Sequence, residues 1–63
     1  MHLLHRIERH LKRSGTPPTL FGRRAVHDPR FVFDLRNGRE PRERTVLRVA
    51  AYIDAVERQE RAR

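Results

Sequence analysis

The chain has 63 residues, 15 of them Lys or Arg against 8 Asp or Glu, for a formal net charge of +7. That length allows one small domain burying about a dozen side chains, and the absence of Cys excludes both a disulfide framework and a thiolate metal site. A charge this high on so short a chain attracts polyanions, with nucleic acid the default partner and a membrane surface the competing one.

The first expected element covers residues 1–13. Leu3, Leu4, Ile7 and Leu11 recur at i, i+1, i+4 and i+8, one apolar stripe on a helix, while Arg6, Arg9 and Arg13 lie off it. Ser14-Gly15 ends the helix, Gly15 being suited to the left-handed position after it. His2 and His5 are three apart and can face one ion, but no third ligand is placed near them, so the three histidines here, His10 included, read as solvated residues on the helix face. Arg9, Lys12 and Arg13 on the exposed side are either phosphate contacts or a solubilising face.

The next stretch, 16–38, organises the rest of the chain. Thr16 is a good N-cap and Pro17-Pro18 fits a first helical turn, because the amide that proline lacks has no helical partner there. A helix then runs through Leu20, Phe21, Ala25 and Val26. Gly22 inside it costs up to about 1 kcal/mol of helix propensity and so points to the close approach of another helix. Arg23 and Arg24 face away from that contact. The two prolines also fit a ligand for a proline-binding domain, a reading weakened by the lack of further prolines in register.

Asp28-Pro29 is the clearest helix start in the chain: aspartate caps free amides and proline takes the first helical position. The connection from the preceding helix is too short for an easy antiparallel pair, so the two helices should cross steeply. In the helix 28–37, Val32 and Leu35, helped by Phe31, form the inner stripe, and Pro29, Arg30, Phe33, Asp34 and Arg36 face outward. Asn37-Gly38 ends it. A strand hairpin is the competing reading, since Phe31-Val32-Phe33 followed by Asn37-Gly38 resembles hairpin chemistry.

Residues 39–44 form a basic linker in which Pro41 blocks helix continuation. A last helix over 43–58 carries Val46, Val49, Ala50, Ile53 and Val56 at spacings of three and four, with Leu47 and Tyr52 at the stripe's edges. The segment from Glu57 onward has little to bury and is expected to fray. These elements make one domain over 1–58 and a charged flexible tail over 59–63. No apolar run approaches the roughly 18 residues that span a bilayer, and the N-terminal residues lack a signal-peptide core, so a soluble, cytoplasmic and nucleoid-associated protein is expected.

The run FGRRAVHDPRFVFDLRNGREP followed by TVLRVAAYI resembles the helix-turn-helix of the lambda-repressor-like, or Cro/C1-type (XRE), DNA-binding family. Phe21, Gly22, Ala25, Val32 and Leu35 stand at that motif's packing positions. Leu35-Arg36-Asn37-Gly38, then Pro41, then Val46-Leu47-Arg48-Val49-Ala50 match its usual ending, and the resemblance covers residues 3–56. It implies an all-α, compact four-helix domain, with a fifth helix frayed at most. Three positions depart from the pattern. Val26 stands in place of the usual turn glycine, with His27 after it; Glu43 replaces an apolar residue, which moves the expected start of the fourth helix toward Thr45; and nothing apolar after Val56 supplies the dimer contact many members make.

The same resemblance implies a transcription regulator, of phage-derived type, that places helix 28–37 in the major groove of double-stranded DNA. By motif position Pro29, Arg30, Phe33 and Asp34 are the base-facing residues, with Arg30 the best candidate for guanine. Asp34 either accepts from cytosine or pins Arg30 four residues earlier, the pinning being favoured. Phe33 meets a thymine methyl or an apolar neighbour. Thr19, Arg23, Arg24, Arg36, Arg39, Arg42 and Arg44 are the phosphate candidates. No cofactor, metal or catalytic constellation is expected. Homodimerisation stays open, as do two other functions: a helix-turn-helix module binding RNA polymerase or another protein, and charge-driven binding to nucleic acid of any sequence.

Overall fold

A computed structural model describes residues 2–62 as four helices with no strand among them. Met1, where the first helix was expected to begin, and Arg63, at the end of the expected tail, lie outside the described residues.

Helix α1 spans Leu3–Ser14 and turns its apolar stripe inward, burying Ile7 and Leu11. Gly15 closes it in the left-handed region (φ 72°), its amide donating to the Leu11 carbonyl at 2.9 Å. Helix α2 spans Pro18–Val26, and its cap differs from the expected one. Pro17, not Thr16, holds the N-cap place, and the Thr16 hydroxyl is engaged with the Ser14 hydroxyl at 2.7 Å. The reason is steric: Pro17 precedes another proline, which drives it out of the α region to φ −64°, ψ 145°.

Helix α3 spans Phe31–Arg36, so regular helix starts later than the expected residue 28. Residues 28–30 form a tight turn instead. The Asp28 carboxylate accepts from the Arg30 amide at 2.9 Å, and its carbonyl accepts from Phe31, three residues on, at 3.2 Å. Asp28 thus caps the turn and not α3, whose N-cap residue is Arg30 and has no side-chain cap bond, and that turn is tighter than an α turn. At the other end Gly38 takes φ 93°. Its amide donates to the Leu35 carbonyl at 3.1 Å, and the Arg39 amide donates to that of Asp34 at 3.0 Å, a Schellman closure. With Phe31, Val32 and Phe33 all helical, the hairpin alternative falls.

Helix α4 spans Glu43–Arg61. It starts at Glu43 rather than near Thr45, a carboxylate in the first turn being favoured by the helix dipole. The stretch expected to fray from Glu57 continues as helix to Arg61, and Glu57 and Glu60 both reach Arg13 of α1. The 19 residues of α4 rise about 28 Å and set the 35 Å long axis of a molecule otherwise 22 Å across.

Phe21, Ile7, Ile53, Val32 and Val49 are fully buried, one or more from every helix, and Leu11, Ala25, Phe31 and Leu35 complete the core. Leu3, Leu4, Val26 and Tyr52 pack around it, and the Tyr52 ring meets Phe21 edge-on at 5.5 Å. Helix α2 touches both α3 and α4, and α1 closes the other side against the same two helices. At Gly22 α2 comes close against the turn and the start of α3. A Cβ there would lie 2.2 Å from the Asp28 carbonyl oxygen and 3.3 Å from the Phe31 Cβ, so the close neighbour is the turn backbone as well as the next helix.

Candidate nucleic-acid interface

Helix α2, the turn 27–30 and helix α3 carry most of the residues singled out from sequence. The turn is built without glycine. His27 takes the left-handed conformation (φ 59°, ψ 29°) that closes α2, and its amide donates to the Arg23 carbonyl at 3.0 Å. Where Val26 stands in place of the glycine of the resembled pattern, Val26 stays helical and the left-handed residue is His27. Histidine is among the non-glycine residues that tolerate this region best.

Pro29 and Arg30 are exposed on the turn, and Phe33 is exposed on α3 at 42 %. Asp34 is half-buried and does not pin Arg30. It accepts from the Arg39 guanidinium at 3.2 Å, because the Schellman closure carries the chain back over α3 and sets Arg39 beside it. Thr19, Arg23 and Arg24 are exposed on α2, and Arg42 and Arg44 flank the start of α4. An open cleft of about 420 Å³ lies between α3 and residues 39–42. Val26, Phe31, Leu35 and Pro41 line its apolar side, and Asp28, Asp34, Arg39 and Arg42 are among its charged residues.

The arginines divide into two groups. Arg36, expected among the phosphate contacts, is bound in a two-pronged pair to Glu8 of α1, with N–H donors 2.7 and 2.8 Å from the two carboxylate oxygens. Those hydrogen bonds, aided by charge attraction and opposed by partial burial, hold the Glu8 carboxyl below its ordinary range and push Arg36 above its own. Arg6 pairs with Asp54, and Arg13 with Glu57 and Glu60, along the α1–α4 seam. By contrast Arg23, Arg24, Arg30, Arg42 and Arg44 have no carboxylate within ion-pair distance among the described residues. The same holds for Arg9 on α1 and for Arg48, Arg58 and Arg61 on α4, so acidic side chains neutralise only part of the α1–α4 side, and the five arginines around α2, the turn and the start of α4 are open to an external anion.

Comparison with known proteins returns no match for this chain, neither a family model nor a curated relative nor a solved structure.

His10 departs from the solvated position expected from sequence. It is 4 % exposed, its ring centroid 5.7 Å from that of Phe21 and its Nδ1 3.6 Å from a Glu57 carboxylate oxygen. The signal was present, since His10 falls three residues after Ile7 and one before Leu11, on the apolar stripe itself. The Glu8–Arg36 pair had no such signal, its members being 28 positions apart. Among the described residues no three His, Asp or Glu side chains gather as metal ligands, and no helix is long and apolar enough to cross a membrane.

Proposed function

We propose that the protein is a sequence-specific double-stranded DNA-binding regulator of transcription, a helix-turn-helix domain of lambda-repressor-like type that lays segment 28–36 in the major groove. The observation that carries this reading is the gathering of unpaired arginines around the short connection between α2 and α3. Arg23, Arg24, Arg30, Arg42 and Arg44 around α2, the turn and the start of α4 keep their charge free; elsewhere carboxylates from α4 hold Arg6 and Arg13, while Arg9, Arg48, Arg58 and Arg61 are also unpaired. The short connection between α2 and α3, and the resemblance of residues 21–50 to the helix-turn-helix pattern, point the same way.

In this arrangement Arg30 stands on the exposed turn ahead of α3, its backbone fixed by the Asp28 carboxylate, and reads guanine through its two-pronged guanidinium. Arg23 and Arg24 from α2 and Arg42 and Arg44 from the start of α4 hold phosphates, which set register and carry no sequence information. Arg36 leaves the phosphate set because Glu8 neutralises its charge and takes two of its N–H donors, those on Nε and Nη2. Arg39, held by Asp34, contributes less than the free arginines.

Selection from a randomised duplex library tests the reading directly. A short sequence containing a guanine should be enriched, and Arg30→Ala should cut discrimination at that base pair by roughly five- to 150-fold, the equivalent of roughly 1–3 kcal/mol for a bidentate arginine–guanine pair, with little change toward random DNA. If no sequence is enriched at low or moderate salt, the reading fails.

A further inference from the structure

Phe33 is the exposed aromatic side chain of α3 and sits among the outward residues of that helix. Single exposed hydrophobics are ordinary on protein surfaces, but this ring is braced. The guanidinium carbon of Arg36, three residues on, lies 5.6 Å from the ring centroid. Arg36 is itself fixed from behind, because both oxygens of Glu8, on another helix, accept its N–H groups at 2.7 and 2.8 Å. A lone arginine on a helix surface samples many rotamers. One held through two parallel hydrogen bonds keeps a single orientation, so the ring resting on it is restrained as well.

The chemistry facing such a ring in a major groove is narrow. Base edges there present hydrogen-bond donors and acceptors, which an apolar ring leaves unsatisfied, and one apolar group, the thymine 5-methyl. We propose that Phe33 is a specificity-determining residue that recognises the 5-methyl group of one thymine, and that Glu8 and Arg36 are its positioning residues, α1 thereby setting the aim of a side chain on α3. This inference rests on the DNA-binding reading above and assigns one position of its recognition sequence.

The test uses the full chain and a duplex obtained by selection, in which each thymine is replaced in turn by uracil, a change that removes only the methyl group. Wild type should lose about fourfold in affinity at one position, as expected for burying one methyl, and be indifferent at the others. Phe33→Ala should bind the thymine and uracil duplexes equally. Replacing that thymine by 5-methylcytosine, paired with guanine, should cost less than replacing it by cytosine. Glu8→Gln and Arg36→Lys should reduce the thymine-to-uracil ratio toward one. A purely structural role for the pair would weaken both duplexes alike and leave the ratio untouched, and the added positive charge of Glu8→Gln likewise shifts both together. Phe33→Leu, apolar but without a ring for the guanidinium, should retain part of the ratio and guards against misfolding of the alanine variant.

A duplex with no methyl-sensitive thymine, or a ratio that persists in Phe33→Ala, overturns the assignment while leaving sequence-specific binding intact. A ratio abolished in Phe33→Ala but unchanged in Glu8→Gln and Arg36→Lys overturns the positioning role. Failure to enrich any sequence overturns the DNA-binding reading itself and this inference with it.

Discussion

Gly22 and His27 stand five residues apart in α2 and its cap, and they respond to opposite demands of the backbone. At Gly22 the conformation is ordinary helix and the constraint is space, since an added Cβ would meet the Asp28 carbonyl oxygen at 2.2 Å. At His27 there is room for a side chain, and the constraint is its positive φ of 59°. Gly22→Ala should therefore destabilise despite alanine's better helix propensity, by roughly 1–3 kcal/mol as for overpacking elsewhere, and displace the turn that carries Arg30. His27→Gly should do the reverse, gaining up to about 1 kcal/mol from relief of the left-handed penalty, less what glycine adds to the freedom of the unfolded chain. Thermal unfolding followed by circular dichroism measures both. Equal melting temperatures for Gly22→Ala and wild type would show that the α2–turn contact is looser than described. Glycine at position 22 was legible as a close-approach site, but its neighbour was not, because the approaching atom belongs to a turn that starts six residues later.

Among the elements, α1 is the one whose role grows most once the chain is folded. Its apolar stripe reads directly from Leu3, Leu4, Ile7 and Leu11, and so does its glycine stop. Its polar face turns out to connect the molecule: Glu8 reaches α3, and Arg6 and Arg13 reach α4. The Glu8 carboxyl lies below its ordinary pKa because of the hydrogen bonds from Arg36, so the folded state binds that proton less readily than the unfolded chain. The pair's contribution to stability is fully present above the ordinary carboxylate range and is lost as pH falls through the lowered folded value. In urea titrations, wild type should exceed Glu8→Gln in midpoint at neutral pH, and the two should converge in acid. Both side chains are partly exposed, so the gap should be small and should shrink with added salt. A gap that stays constant down to low pH would mean that the carboxylate's charge contributes nothing. Helix α3 shows the limit of local signals. Its glycine stop was legible, whereas its first three expected residues, Asp28 among them, became a turn, because the Phe31 amide bonds to Asp28 at a three-residue spacing, and its N-cap fell on Arg30.

For the whole molecule the relevant quantity is how many of the positive charges are free to meet a polyanion. If Arg23 and Arg24 each neutralise a phosphate, Arg23→Ala combined with Arg24→Ala should flatten the dependence of log affinity on log salt by about 1.8, near 0.9 for each phosphate left without its arginine. Arg36→Ala should flatten it far less, since Glu8 already neutralises that guanidinium. Binding isotherms on random duplex DNA at several salt concentrations give the slopes, and equal slopes for all three proteins would remove the α2 arginines from the interface.

By itself the sequence determined the inner stripe of each helix, the stops at Gly15 and Gly38 and the strong positive charge. All of these are carried by spacings of three and four residues, by single residues with restricted backbones, or by composition. The hairpin alternative at residues 31–38 fell only to the structure. Tertiary structure alone decided which arginines are free, that Asp34 serves Arg39 and not Arg30, that His10 has Phe21 and Glu57 for its partners, and that α4 runs on to Arg61. The Arg36 pair, the His10 contacts and the α1–α4 ion pairs join side chains from different helices, and Asp34 meets Arg39 only because the chain folds back at Gly38. A charge's partner is set by which helix faces come together, and no periodicity within one helix encodes that.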